Sequence, residues 1–160
     1  MRLTKLLVTN FRGVCDFQMP EIADDTVLFY GPNGAGKTTL LDALRAVLTG
    51  TVRDQSGYAL KLERLVGPNG DKAEIVLGLE HGKKHLEATL RVNGRKSTLA
   101  TDPALAGGIQ EVRNGIWSYF GLDPVRQGLA LDPLQLLLGE DLLQSLTGNA
   151  TIEQDALTKV

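Results

Sequence analysis

The chain has 160 residues, 42% of them hydrophobic, which is enough for one core of ordinary domain size. Seventeen Lys and Arg against nineteen Asp and Glu leave a net charge of −2, which excludes attraction to nucleic acid or membranes as a bulk property and makes any such site local. One cysteine, Cys15, excludes an internal disulfide framework, no stretch is apolar over the roughly 18 residues of a membrane span, and MRLTKLLVTNFRG lacks the apolar core of a signal peptide, so the sequence predicts a soluble, cytoplasmic protein with no membrane partner.

Two strands are predicted first, over 2–10 and 14–19, joined by a turn at Arg12 and Gly13. In the second, Cys15, Phe17 and Met19 alternate with Asp16 and Gln18, which predicts Cys15 as a small buried group on the inward face. TVLFY, 26–30, is a continuous apolar run, the pattern of a strand covered on both faces. It leads into the glycine-rich GPNGAGKTT, after which Leu40, Leu41, Leu44, Val47 and Leu48 recur at helical spacing and Gly50 closes the helix.

Farther on, AEIVLGLE and HLEATLRV each alternate and read as a hairpin turning at His81 and Gly82, followed by an Asn93-Gly94 turn into a short third strand. Residues 101–108 form a loop, and apolar positions 109, 112, 116 and 120 predict a helix weakened by Gly115 and ended by Gly121. A short strand near 129–134, a loop and a helix ending at Gly148 follow. Thr151 and Gln154 make a capping box, so a further helix starts there and the chain is expected to continue into a longer polypeptide.

Gly31 to Thr38 fits Gly, any four residues, Gly, Lys, Ser or Thr, and lies between a predicted strand and a predicted helix. Gly34 and Gly36 let the backbone of the loop, with Asn33 and Ala35, curl so that successive amides point inward around a β-phosphate, and the helix start adds its positive dipole end. Lys37 is expected to reach the β and γ phosphates and Thr38 to ligate Mg2+. Thr39 is expected at the α-phosphate and Asn33 near the γ-phosphate of ATP. The same tetrapeptide, Gly-Pro-Asn-Gly, recurs at 67–70, but Asp71-Lys72-Ala73 follows and the pattern beyond it is a strand, so the second copy is expected to be a turn only.

The opening MRLTKLLVTNFRGVCDFQM followed by YGPNGAGKTTLLDALRAVLTG resembles the ATPase heads of the SMC, RecF and SbcC group, specifically over 1–50 and by layout to about 150. The resemblance implies an α/β P-loop NTPase, the amino-terminal lobe of an ABC-type head with an antiparallel β subdomain, over 1–150, and the root of a coiled coil over 151–160. It implies ATP and Mg2+, action on DNA with a nucleoid-associated location, and head dimerisation as a homodimer around two ATP molecules. Arg12 then corresponds to a basic residue near the phosphates, with Asn10 and Phe11 shaping its turn. Gln135, favoured, or Gln127 corresponds to the glutamine that contacts the metal and the attacking water.

The sequence has no apolar strand ending in Asp-Glu after the loop, no LSGGQ-like signature and no switch histidine, since His81 and His85 lie on the hairpin. In the family these parts belong to a carboxy-terminal lobe of the same or another chain. Three alternatives stay open: an OLD-type ATPase linked to a nuclease, an ABC transporter subunit, and a module in which nucleotide locks an interface without hydrolysis. Residues 81–98 hold five basic residues, Lys83, Lys84, Arg91, Arg95 and Lys96, against Glu87, and read either as a surface for a DNA backbone or as a strand edge defended by lysines.

Overall fold

In chain order, the computed structural model, which describes residues 1–23, 27–54 and 56–122, contains β1 (Arg2–Phe11), β2 (Val14–Met19), α1 (Lys37–Leu48), β3 (Val52–Arg53), β4 (Ala59–Leu60), a 3-10 turn (Leu62–Arg64), β5 (Lys72–His81), β6 (Lys84–Asn93), β7 (Ser97–Asp102) and α2 (Ile109–Tyr119). The segments assigned from sequence to a strand at 129–134 and to helices before Gly148 and after Thr151 lie outside the described residues, as do Gln127 and Gln135.

Five strands form one antiparallel sheet in the order β2-β1-β5-β6-β7, and β3 with β4 forms a small second sheet. Alternation sets the register: Ala73, Ile75, Leu77 and Leu79 stand opposite Val92, Leu90, Ala88 and Leu86, and all eight are buried. Leu6 and Val8 of β1 extend this inward face opposite Leu77 and Ile75. The other face is laced with ion pairs, Arg2 to Glu80 at 3.3 Å and Lys5 to Glu87 at 2.8 Å among them. α1 packs its Leu40, Ala43, Leu44 and Val47 stripe toward β1, β5 and β6, while α2 brings Val112, Ile116 and Trp117 against β7 and α1.

The hairpin turns on Gly82-Lys83, with His81 paired to Lys84 and Gly82 in the left-handed region at φ 62°. At the next turn the Asn93 side-chain oxygen accepts from the amides of Arg95 (3.0 Å) and Lys96 (2.8 Å), an Asx-type closure.

Two expectations are corrected. Residues 27–30 form no strand, and among the described residues no strand pairs with them. Phe29 packs edge-on against Phe17 (centroids 6.0 Å apart), whereas Leu28 is 77% and Tyr30 88% exposed, so only one face of the apolar run is covered. Cys15 is exposed rather than buried, because β2 is an edge strand and nothing described packs fully over its outer half. Among the described residues no helix is long and apolar enough to cross a membrane.

Candidate functional site

The loop from Gly31 to Gly36 leaves the 27–30 segment and opens directly into α1. Gly36 occupies the helix N-cap at φ 87°, in the left-handed region that glycine enters without strain, and a Cβ there would come within 3.2 Å of Val14 Cγ2. No side chain caps this helix start and no acidic residue stands in its first turn. The first amides of a helix have no intrahelical acceptor, so an uncapped start with no nearby carboxylate is an anion-binding geometry.

Lys37 Nζ folds back over the loop and donates to the carbonyl oxygens of Gly31 (2.7 Å) and Pro32 (2.9 Å). The ammonium thus lies over the concave side of the loop, and phosphate oxygens are the natural replacements for those two carbonyls. Asn33, Gly34 and Ala35 are exposed at the rim, the Thr38 side chain is exposed and Thr39 is half-buried. An apolar cleft of about 530 Å³ opens beside the loop, between Phe17 and Met19 of β2 and the stretch holding Phe29 and Tyr30, with Ala35 and Lys37 at its wall.

Arg12 sits at the tip of the β1–β2 turn with φ 51°. Its amide donates to the Leu65 carbonyl at 2.7 Å, and its Nη1 is hydrogen-bonded to Asp42 Oδ2. Asp42 is a buried acid on α1, one turn beyond Thr38, and its second oxygen lies 3.6 Å from Arg45 Nη1. Burial holds the Asp42 carboxyl above its ordinary value, against the opposing pull of the Arg12 and Arg45 charges. Sequence reading passed over Asp42; the signal was there, an acid set among Leu40, Leu41, Ala43 and Leu44 at the four-residue spacing from Thr38.

Asn10, the other left-handed residue of the turn at φ 50°, does shape it as expected. Its Oδ1 accepts from the Asn69 amide (3.0 Å) and its Nδ2 donates to the Lys72 carbonyl (2.8 Å), while the Gly67 amide donates to the Asn10 carbonyl (2.7 Å). The second Gly-Pro-Asn-Gly is therefore a turn, as expected, and one that clasps the Asn10–Arg12 corner.

The five basic residues of 81–98 do not form one cluster. Lys83 and Lys84 stand at one end of β6 and Arg95 and Lys96 at the other, roughly 30 Å apart at about 3.3 Å per residue. Lys84 donates to the Tyr119 carbonyl (2.6 Å), and Arg91 pairs with Glu74. β6 is an interior strand, so the lysines defend no edge either. His81 and His85 lie at the Lys84 end, remote from Arg12.

A glycine loop that opens a helix, with a lysine over its concavity and an antiparallel sheet beside it, defines a P-loop NTPase of the α/β class. Residues 5–126 match the AAA domain family, and the chain belongs to that family. Its fold is that of the amino-terminal lobe of an SMC/RecF-like ATPase head. Among solved structures, an SMC ATPase studied for ATP-driven dimerisation and DNA-stimulated activation has a TM-score of 0.62 at 16% identity, covering 91% of this chain and 96% of that one. The recombination mediator protein RecF with ATP gives 0.56 at 20% identity, covering 68% and 28%. In sequence, the DNA replication and repair protein RecF of Mesorhizobium japonicum is 31% identical over 147 residues, or 84% of this chain and 36% of its own length. The chain thus spans about a third of that relative.

Proposed function

We propose that the chain is the ATP-binding lobe of an SMC/RecF/SbcC-like ATPase that acts on DNA in repair, recombination or chromosome maintenance. The observation that carries this reading is the loop of Gly31 to Gly36 opening an uncapped, acid-free helix start with Lys37 over its concave face. In this reading the loop amides surround the β-phosphate of ATP, and Lys37 exchanges its two carbonyls for β and γ phosphate oxygens. Thr39 reaches the α-phosphate and Asn33 the neighbourhood of the γ-phosphate.

Mg2+ suits the donors: the exposed Thr38 hydroxyl is a hard oxygen, and this ion keeps most of its waters and takes only one or two protein ligands beside phosphate. When bound, it neutralises phosphate charge. Gln135 and Gln127 stay as candidates for the sensing glutamine, Arg12 as a phosphate contact.

Hydrolysis in this proposal needs a carboxy-terminal lobe, from the same or another chain, and a second head that closes over the γ-phosphate. Leu28 and Tyr30 support a partner lobe: they belong to the segment that feeds the phosphate loop, and among the described residues nothing covers them, which leaves an apolar edge for further strands. DNA as a partner rests on what the relatives are named for.

Titration of the 160-residue chain with a fluorescent ATP analogue in Mg2+ tests the reading. Saturable binding is expected, weakened at least about tenfold by Lys37→Ala, since charge-assisted contacts to phosphate are lost. Equal binding by Lys37→Ala overturns it. Phosphate release above background that Lys37→Ala abolishes would overturn the requirement for a second lobe.

A further inference from the structure

An arginine that must meet a phosphate is most effective when its own position is already fixed, because a free side chain loses rotamer entropy on binding. The backbone of Arg12 is fixed twice, by the hydrogen bond its amide donates to the Leu65 carbonyl and by the clasp of residues 67–70 on Asn10. Of the five N–H donors of the guanidinium, one on Nη1 is engaged among the described residues, on Asp42 Oδ2. The side chain remains about one-third exposed, whereas Asp42 is 2% exposed. A guanidinium held at one corner by a buried carboxylate keeps its other donors available for a second acceptor.

Asp42 is itself fixed on α1, one turn behind Thr38, and carries a second cation, Arg45, at 3.6 Å on its other oxygen. Arg12 can therefore tilt toward an anion without leaving Asp42 unpaired. Val14, two residues beyond Arg12, lies beside the loop: a Cβ on Gly36 would come within 3.2 Å of Val14 Cγ2.

We infer that Asp42 is a positioning residue: it holds Arg12 by one edge so that the remaining guanidinium donors face a nucleotide phosphate at the mouth of the loop. The inference rests on the reading of Gly31–Thr38 as the ATP-phosphate site. It assigns Asp42 a role through Arg12 rather than a contact with nucleotide or metal.

The test is a double-mutant cycle on the affinity of the 160-residue chain for the fluorescent ATP analogue in Mg2+, with folding checked by thermal melting. Asp42→Asn keeps the side-chain shape and is expected to weaken binding about tenfold, as expected for loss of a charge-assisted anchor. In an Arg12→Gln background the same Asp42→Asn change is expected to have no further effect. Wild-type affinity in Asp42→Asn, or an equal loss in both backgrounds, overturns the inference, because a purely structural role of Asp42 would add to the loss of Arg12.

Should Asp42→Asn fail to melt cooperatively, Arg12→Lys decides. Its single ammonium keeps the charge but cannot span carboxylate and phosphate together, so it is expected to bind about as weakly as Arg12→Gln, and wild-type affinity overturns the inference. Lys37→Ala separates the two failures. If Lys37 matters and Asp42 does not, only the positioning role is lost; if Lys37 does not matter, the phosphate-site reading falls and the inference with it.

Discussion

Gly67 lies against Asn10 so closely that a Cβ on Gly67 would stand 2.4 Å from Asn10 Oδ1, and 2.8 Å from the Arg12 carbonyl oxygen. The second Gly-Pro-Asn-Gly has glycine at its first position for this approach, whereas the first copy uses Gly34 and Gly36 at positive φ to lead the chain into α1. Gly67→Ala is expected to destabilise the chain by about 1–3 kcal/mol through overpacking. Gly94→Ala, at an open position with no contact within 4 Å, is expected to stay within about 0.5 kcal/mol. Urea unfolding of the two variants side by side checks this, and equal midpoints would show that the clasp is dispensable.

A second prediction concerns Arg113, buried on α2. Its Nε donates to the Val47 carbonyl (3.1 Å) and its Nη2 to the Ala46 carbonyl (2.9 Å), so it satisfies the end of α1 where the helix dipole is negative. Burial lowers its pKa, and among the described residues no carboxylate pairs with it. Arg113→Met, which keeps the aliphatic stem, is expected to cost about 2 kcal/mol by leaving two buried carbonyls unsatisfied. Chemical denaturation reads the loss; a neutral result would mean that α1 ends equally well without the cation.

The pH dependence of Asp42 has a definite sign. Its folded-state carboxyl titrates above the ordinary 3.8, so between that value and the folded one the native chain binds a proton that the unfolded chain does not. Stability contributed by this group therefore rises as pH falls through that window and is lost as pH rises out of it. The melting-temperature difference between wild type and Asp42→Asn is expected to move in favour of wild type as pH is lowered from neutral toward 4. A difference that is flat with pH, or moves the other way, would refute the raised value.

What the sequence made legible was what neighbours along the chain determine. The glycine loop, α1 with its Gly50 stop and the three strands over 72–102 follow from glycine placement, period 3.6 and period 2; the structure has them in that order, with the hairpin turn one residue later than His81-Gly82 and β7 running to Asp102, into the expected loop. What it hid depends on residues far apart. Asp42 gains its partner only when the β1–β2 turn brings Arg12 across thirty positions to meet it. Cys15 and the 27–30 segment were misread because alternation and apolar runs report which faces suit burial, not whether a covering layer is present.

Leu28 and Tyr30 supply the last prediction. Among the described residues nothing covers either side chain, so Leu28→Ser with Tyr30→Ser is expected to change the stability of this chain by no more than about 0.5 kcal/mol each. Burying such side chains elsewhere would gain about 1.5–3 kcal/mol apiece, which drives self-association of an isolated chain or docking of a partner lobe. The doubly substituted chain is therefore expected to sediment as a monomer at concentrations where the wild type associates, and to bind less of a hydrophobic dye, with ATP-analogue affinity changed less than by Lys37→Ala. A loss of stability well above about 1 kcal/mol would mean that the two residues are covered within this chain, and the case for an edge awaiting further strands would fail.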